Sequence, residues 1–429
     1  GIRDVERSRG LGDVYKRQPP VGLEYLAEYM QNAGYGVELI DLALQEDPER
    51  CIKRRLRTEK YSIIGISIRN IDYTVIQRRD FFLPEVKKLI SLIRNLTDTP
   101  IVLGGAGFSI QPREILEYVG ADFGVCGEGI PTLEILLRKL EIKGIQKGTV
   151  LKHEHEEYLN FSFKRNTLNL RCYQEQGGTI GVSTKSGCSK KCIYCTYPII
   201  SGQNIRLRNP NRVIEELESL VFQGISRIFF VDSVFNIDVE HARIICNEMA
   251  NRNMPISWEA YLTPKREKFS EDFVDLIAKS NLAIAYLGID SGSNKMLGTM
   301  RKDFSTQDIE RATKLCKERG IKVGFSVLFG APGENKKTID ETFDLIDRLN
   351  PDHVDVQTGI RIYNSTEMAK IAEEEGFPEI ASIFISIAVA EKQHEKRYLA
   401  LAENIEKDRV FKRETKVKWR CSNCGYIHE

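Results

Sequence analysis

The sequence lacks any apolar run close to the roughly 20 residues that a helix needs to cross a bilayer. Its most apolar late stretch, residues 380–390, is short and interrupted by Ser382 and Ser386, which predicts a buried helix. An excess of either charge is also missing, because 62 Lys and Arg face 61 Asp and Glu. A net charge of +1 gives no electrostatic reason to bind nucleic acid or an anionic membrane. No signal-peptide pattern is present, so we expect a cytoplasmic location.

The chain has few cysteines for a disulfide-stabilised fold, ten among 429 residues. Five of them are gathered in two tight clusters, a pattern typical of metal binding in a reducing compartment. The other five are scattered and are predicted to be small buried hydrophobic residues: Cys51, Cys126, Cys172, Cys246 and Cys316.

The length exceeds what one hydrophobic core usually serves, so several domains are expected. We divide the chain into an unrelated or artefactual tail at 1–18, an α/β domain at 19–140, a polar linker at 141–176, a second α/β domain at 177–376, a helical region at 377–418 and a terminal segment at 419–429.

Helices and strands alternate in both α/β domains. The first has predicted strands at 37–42, 62–68, 101–103 and 121–126, several ending at glycine turns. This pattern indicates a doubly wound, Rossmann-like parallel sheet that binds its ligand at the carboxyl ends of the strands.

The second α/β domain has predicted strands at 179–183, 227–231, 284–289, 323–328 and 353–357, with amphipathic helices between them. At least five βα units favour a partial (β/α)6-type barrel with its chemistry at the carboxyl-end loops.

Three cysteines follow the first strand of the second domain as C-x-x-x-C-x-x-C: Cys188, Cys192 and Cys195. Three thiolates on one loop can hold three irons of a [4Fe–4S] cubane and leave the fourth iron open. Zinc is the alternative, although a structural zinc site needs a fourth ligand and none lies nearby in sequence.

This run, with Tyr194 before its last cysteine, resembles the signature of the radical S-adenosylmethionine superfamily. Segments 230–236, 287–293 and 329–334 resemble that family's later strand ends. The resemblance implies that the open iron chelates S-adenosylmethionine and that reduction yields a 5′-deoxyadenosyl radical. It also implies contacts to S-adenosylmethionine from Tyr194, Ser233, Asp290, Ser291, Ser326 and Gly333.

The first α/β domain resembles the cobalamin-binding domain that precedes many radical S-adenosylmethionine enzymes; a generic nucleotide-type domain is the alternative. The resemblance implies cobalamin contacts from the glycine loops and strand ends: Val21, Gly22, Leu23, Ser67, Gly104, Gly105, Gly107, Gly127, Glu128 and Gly129.

The Asp-x-His-x-x-Gly motif, whose His ligates cobalt in several cobalamin enzymes, is absent, and none of the six His falls in this domain. Cobalamin is therefore expected without His ligation, with Arg69, Asn70 or Asp72 facing its lower side. Arg69 cannot ligate cobalt and would disfavour a lower ligand. The first strand of such a domain would lie before Pro19, so the sequence leaves open whether this chain contains the complete domain.

Cys421 and Cys424 form a C-x-x-C-G knuckle that resembles half of a rubredoxin-like iron site or a zinc ribbon. Iron or zinc binding and a pair of free thiols both remain open. His428 is a candidate third ligand, with a solvated terminal His as the alternative.

The resemblance implies a cobalamin-dependent radical S-adenosylmethionine methyltransferase that takes electrons from a flavodoxin- or ferredoxin-type donor. Its substrate class, whether a small molecule, a lipid or a peptide, stays open, as does the choice between radical and polar methyl transfer. The alternatives are a cyclase or rearrangement enzyme of the same family and a non-catalytic cobalamin or redox sensor. No catalytic residue can be assigned, although Glu259, Tyr261 and Tyr363 lie near predicted strand ends.

Overall fold

The structure is a computed structural model that describes residues 18–72, 81–142, 144–152 and 157–374, together with the backbone of 419–420 and 427–428. The chain divides into two compact units, Gly1–Met368 and Ala369–Glu429. The predicted tail at 1–18, apart from Gln18, and the whole of the helical region predicted at 377–418 lie outside the described residues.

The first part of the larger unit is a parallel sheet covered by helices. Its described strands run in the order β1-β2-β3-β4, so neighbours in the sheet are also neighbours in sequence. The elements are α1 (Val21–Asn32), α2 (Pro48–Thr58), β1 (Ile64–Ser67), α3 (Leu83–Arg94), β2 (Ile101–Gly104), α4 (Ala106–Ile110), α5 (Pro112–Val119), β3 (Phe123–Cys126), α6 (Gly129–Glu141) and β4 (Val150–Lys152).

The second part of the larger unit is a barrel-like sheet. The elements up to its third main strand are α7 (Leu170–Glu175), β5 (Ile180–Val182), β6 (Lys185–Ser186), α8 (Tyr197–Ser201), β7 (Arg206–Leu207), α9 (Pro210–Phe222), β8 (Arg227–Phe230), α10 (Val239–Asn251) and β9 (Ser257–Leu262). The remaining elements are α11 (Glu271–Lys279), β10 (Leu282–Asp290), α12 (Asn294–Thr299), α13 (Thr306–Glu318), β11 (Lys322–Phe329), α14 (Lys336–Leu349), β12 (His353–Thr358) and α15 (Glu367–Glu374).

Six of these strands pair in parallel in the order β12-β11-β10-β9-β8-β5, and in the described chain the sheet stays open between β5 and β12. Alternate residues along each strand enter the core between sheet and helices. In β9, for example, Trp258, Ala260 and Leu262 are buried. The other residues of each strand face the inside of the sheet, as the two-residue period of a strand requires. The mixed α/β architecture with an open barrel confirms the predicted fold class.

A buried ion cluster joins the two parts. The Arg165 guanidinium lies 2.6 Å from Glu24 of α1 and 2.8 Å from Glu216 of α9, and all three side chains are fully buried. Tyr25 of α1 donates a hydrogen bond to Glu216 across 2.8 Å. Charges taken out of water are tolerated only when paired in this way, so the cluster fixes α1 on the barrel.

Most predicted elements are confirmed, with three differences. The strand predicted at 37–42 is wrong: Asp41 instead caps a 3-10 turn at Leu42–Leu44 and accepts a hydrogen bond from Tyr173. Strand β9 was not predicted, because Glu259 and Tyr261 interrupt the apolar run that marks the neighbouring strands. Strand β4 lies inside the segment 141–176 that was expected to be a linker, and it pairs with β3. None of the helices in the described parts of the chain is long and apolar enough to span a membrane.

Candidate functional site

The cysteine loop emerges from a short antiparallel ladder. Strands β6 and β7 pair at its base through Lys185–Leu207 and Ser186–Arg206, and the loop between them carries the three cysteines. Gly187 adopts φ +86°, and a Cβ there would lie only 1.9 Å from the carbonyl oxygen of Asn204. Glycine is therefore required where the loop begins.

A second buried network anchors the base of this loop to the sheet. Asp232, after β8, accepts hydrogen bonds from the Thr184 hydroxyl at 2.5 Å and the Thr184 amide at 2.8 Å. The Lys185 ammonium, only 1% exposed, lies 2.8 Å from the same carboxylate and also donates to the Phe235 carbonyl. The loop therefore starts from a rigid point at the carboxyl end of the sheet.

The three thiols of the loop share one environment. Cys188 is buried and the other two are half-buried; both Cys188 and Cys192 lie close enough to raise the pKa of Cys195. Burial raises the pKa of Cys195 to about 11, so cluster assembly has to displace a proton from this thiol.

Within the described residues, no group of three or more His, Cys, Asp or Glu side chains is arranged to hold a single metal ion. A cubane places a different demand on the thiols, because each of them binds its own iron. Three neighbouring thiols on one loop fit that requirement.

Tyr194, between the second and third cysteines, reaches the end of β10. Its hydroxyl donates to the Asp290 carboxylate, and the Lys302 ammonium lies 2.6 Å from the same carboxylate. Burial alone would lower the pKa of Lys302, but the attraction of Asp290 outweighs it and the net shift is upward. The network ties the cysteine loop to the turn that the sequence predicts to contact S-adenosylmethionine.

Ser291 differs from Asp290 in orientation. Its hydroxyl is buried and lies 3.1 Å from that of Thr342 on α14. A Cβ on the next residue, Gly292, would come within 2.7 Å of Thr342 Cα. The turn therefore packs directly on α14, and the Ser291 hydroxyl serves that packing in this structure.

The other residues predicted to contact S-adenosylmethionine are spread around the mouth of the barrel. The Ser233 hydroxyl lies 3.5 Å from the Gly187 carbonyl, at the start of the cysteine loop. Ser326 faces Tyr261 inside the sheet, with 3.4 Å between their hydroxyls. Gly333 adopts φ +75°, and its carbonyl accepts a hydrogen bond from Lys295.

In the first domain, two predicted cobalamin loops pack backbone against backbone. Gly105 has φ +98°, and a Cβ there would lie 2.6 Å from the Ile68 carbonyl and 2.7 Å from the Ser67 hydroxyl. A Cβ on Gly107 would lie 3.0 Å from the Arg69 carbonyl. These glycines let the loops after β1 and β2 form one joined edge, where the sequence predicts cobalamin.

The remaining residues predicted to contact cobalamin either lie against the barrel or have space around them. Gly127 has φ +80°, and a Cβ there would lie 3.2 Å from the Ile200 carbonyl in the cysteine loop. Glu128 pairs with Arg206 of β7 across 2.7 and 2.9 Å. A side chain would meet open space at Gly22 and make only ordinary contacts at Gly104 and Gly129. Val21 and Leu23 lie in the first turn of α1, with Val21 beside Gly181 of β5.

The three candidates for the lower face of cobalamin follow β1. Arg69 is exposed and its guanidinium donates to Gln18 across 2.7 Å, while Asn70 is exposed. Asp72 forms an ion pair of 3.0 Å with Arg361, which follows β12 of the barrel. The predicted cobalamin edge therefore contacts the barrel mouth at both Glu128 and Asp72.

Sequence reasoning missed Lys302, Asp232, Arg206 and Arg361. All four are charged residues whose ion-pair partners lie in other elements of the fold, so their spacing in the sequence gave no signal. For Asp232 a signal did exist, since it follows β8 directly, where barrel enzymes place functional side chains.

The second compact unit contributes a short hairpin. Trp419–Arg420 pairs with Ile427–His428 in antiparallel fashion, and these strands bracket the predicted knuckle. Cys421 and Cys424 themselves lie outside the described residues.

Comparison with known families divides the chain into three. Residues 10–137 match the B12 binding domain, residues 182–346 match the radical SAM superfamily and residues 357–421 match rubrerythrin. The first match begins inside the segment 1–18 that was expected to be unrelated to the fold.

Individual relatives cover both α/β domains. Tryptophan 2-C-methyltransferase of Streptomyces laurentii is 25% identical over 83% of this chain and 72% of its own. The structure of the radical S-adenosylmethionine methyltransferase TsrM from Kitasatospora setae, with cobalamin and a [4Fe–4S] cluster bound, matches with a TM-score of 0.75. That match has 27% identity and covers 83% of this chain and 72% of the TsrM chain.

The last part of the chain has a different relative. Rubrerythrin of Nitratidesulfovibrio vulgaris is 64% identical over 61 residues, which are 14% of this chain and 32% of that protein. The similarity to rubrerythrin therefore extends well beyond the predicted knuckle at 419–429. The chain thus contains a B12 binding domain, a radical SAM domain and a rubrerythrin-like C-terminal segment, and it is a homologue of the methyltransferase TsrM.

Proposed function

We propose that the chain is a cobalamin-dependent radical S-adenosylmethionine enzyme that transfers a methyl group from methylcobalamin to a carbon of a small molecule. The observation that carries this proposal is the homology to one methyltransferase across both α/β domains together, at 83% of the chain. Tryptophan, which the name of the Streptomyces relative specifies, is the first substrate to test.

The residues of the cysteine loop fit the first cofactor. We assign Cys188, Cys192 and Cys195 as the ligands of a [4Fe–4S] cluster, because their thiols share one environment on a loop with a rigid base. Tyr194, Asp290 and Lys302 hold the adjacent turn, which we assign to S-adenosylmethionine together with Ser233, Ser326 and Gly333.

We assign the edge formed by the loops after β1, β2 and β3 to cobalamin, with Arg69, Asn70 and Asp72 toward its lower side. The glycines of this edge let its loops pack closely, and Glu128 and Asp72 fix it against the barrel. When bound, the cluster with S-adenosylmethionine supplies reductive cleavage or a methyl group, and cobalamin supplies a methyl carrier.

The cluster needs an electron source, since radical S-adenosylmethionine chemistry starts from a reduced cluster. We propose a cytoplasmic flavodoxin- or ferredoxin-type donor. At the C-terminus, we propose that Cys421 and Cys424 take part in an iron or zinc site, consistent with the rubrerythrin-like segment.

Product analysis tests the proposal. Reconstituted, reduced protein with cobalamin, S-adenosylmethionine and tryptophan should form S-adenosylhomocysteine and a methylated product. Formation of 5′-deoxyadenosine alone would favour a rearrangement enzyme, and the absence of both would contradict an enzymatic role. The triple variant Cys188→Ala, Cys192→Ala, Cys195→Ala should lose the cubane and keep cobalamin. Equal cluster content in both proteins would contradict the ligand assignment.

A further inference from the structure

The inner face of the barrel sheet has a distinct chemical character. On the outer face of the same strands, residues such as Phe230, Trp258 and Ala260 are completely buried against the helices. By the two-residue period of a strand, the residues between them point inward. The inward residues near the middle of the strands are Phe229, Glu259, Tyr261, Tyr286, Ser326 and Asp355.

Three of these residues form what we call the aromatic floor: Phe229, Tyr261 and Tyr286. Their ring centroids lie 5.9, 6.0 and 5.6 Å apart, and the His353 ring meets Tyr286 edge-on at 6.4 Å. A Cβ on Gly324 would lie 2.6 Å from the Tyr286 ring, so that ring lies directly against the backbone of β11. The floor is therefore held in place by packing.

Open space lies directly above the floor. Gly288 is the next inward position after Tyr286 toward the cysteine loop, and a Cβ built there meets no atom within 4 Å. The Gly288 carbonyl accepts a hydrogen bond from Lys302, whose ammonium also pairs with Asp290. A molecule resting on the floor would thus face the turn that we assign to S-adenosylmethionine.

The sides of this space carry negative charge. Burial, followed by the nearby Glu259 carboxylate, raises the pKa of Tyr286, and Asp355 acts in the same direction on both Tyr286 and Tyr261. The strand register agrees, because Glu259 lies opposite Phe229, and Asp355 lies opposite Ser326, whose hydroxyl is 3.4 Å from that of Tyr261. The basic residues of this inner face, Arg227 and Lys322, are the first residues of their strands, at the end far from the cysteine loop.

We propose that the substrate carries a flat ring that rests on the aromatic floor and a protonated amine, or a comparable cation, that Glu259 and Asp355 receive. A carboxylate attracts a cation directly, and the faces of Tyr and Phe rings add to that attraction. Glu259 accepts a hydrogen bond from Tyr286, and a carboxylate can accept several hydrogen bonds at once. This inference depends on the proposed function, which places the substrate inside the barrel.

Three compounds that share an indole-ethyl skeleton and differ in the charged groups attached to it test the inference. Tryptamine is a cation, tryptophan is a zwitterion and indole-3-propionate is an anion at neutral pH. Equilibrium dialysis against reconstituted holoenzyme with S-adenosylmethionine should give the tightest binding for tryptamine and the weakest for indole-3-propionate. We expect about tenfold or more between the two extremes, as one charge-assisted hydrogen bond provides.

Variants assign the preference to the two carboxylates. Glu259→Gln keeps an acceptor for Tyr286, and Asp355→Asn changes an exposed residue of the edge strand β12, so we expect both proteins to fold. Each should weaken tryptamine binding about tenfold and leave indole-3-propionate binding unchanged or tighter. Asp344→Asn, which removes an exposed carboxylate on α14, is the matched control and should change neither.

Equal affinity for the three probes, preference for the anion, or no binding of any probe would overturn the inference. So would equal effects of Asp355→Asn and Asp344→Asn. Binding is measured without turnover, so these outcomes are independent of the product analysis that tests methyl transfer.

Discussion

Lys302 shows how a single side chain can connect two predicted sites. Its ammonium is buried between Asp290 and Tyr194, with only 10% of the side chain exposed. Lys302→Met should destabilise the barrel by about 3 kcal/mol, because it leaves the Asp290 carboxylate buried without its cation. Lys336→Met removes an exposed i,i+4 pair with Asp340 and should leave the melting temperature unchanged. Similar melting curves for both variants would show that the Asp290 carboxylate does not depend on Lys302.

Asp72 makes the contact between the domains sensitive to pH. Burial, partly offset by Arg361, raises the pKa of Asp72 to about 6. The folded protein therefore holds this proton more tightly than the unfolded chain. The stability that it contributes is complete below the ordinary aspartate pKa and is lost as pH rises through about 6.

Asp72→Asn removes this titration. The melting temperature of the wild type, relative to the variant, should fall between about pH 4 and 6 and stay constant above about pH 7. A constant difference across the whole range would show that Asp72 titrates as it does in the unfolded chain.

At the scale of elements, the turn after β10 depends on how closely it approaches α14. Gly292→Ala would place a methyl group 2.7 Å from Thr342 Cα and 2.9 Å from the Glu341 carbonyl, so backbone has to move. We expect a loss of about 1–3 kcal/mol in unfolding free energy by urea titration. Gly298→Ala, in α12, meets nothing within 4 Å and should be neutral or stabilising by about 0.5–1 kcal/mol. Equal effects of the two changes on the unfolding free energy would mean that the turn accommodates the added methyl group without loss of stability.

The elements also show what the sequence can and cannot predict. Composition identifies apolar strands such as β1 and β2, and the spacing of apolar residues identifies amphipathic helices such as α9 and α13. Strand β9 was missed because Glu259 and Tyr261 line the inside of an open barrel, where polar residues are tolerated. The extended-looking residues 37–42 contain Asp41, whose capping bond to Ala43 competes with strand pairing.

At the scale of the whole molecule, the cysteine loop was predictable because its residues are adjacent in sequence. The contacts that hold it were not, because Asp232 and Lys302 find their partners only when the barrel has folded, and Arg206 finds Glu128 only when the two α/β domains have met. The ion cluster around Arg165 is a similar case. It brings together Glu24 and Glu216, which are 192 positions apart, and no local sequence pattern predicts such a contact.

The division into two compact units predicts that the two cysteine clusters bind metal independently. Cys188, Cys192 and Cys195 belong to the first unit, and Cys421 and Cys424 belong to the second. The double variant Cys421→Ser, Cys424→Ser should therefore keep all acid-labile sulfide and the visible absorption of the cubane, while it loses iron or zinc that is not part of the cubane. The triple variant of the first cluster should show the reverse, with no sulfide and with the second metal retained. Loss of sulfide in the double variant would show that the units are coupled, and absence of both iron and zinc in the triple variant would show that the terminal cysteines hold neither metal in this chain.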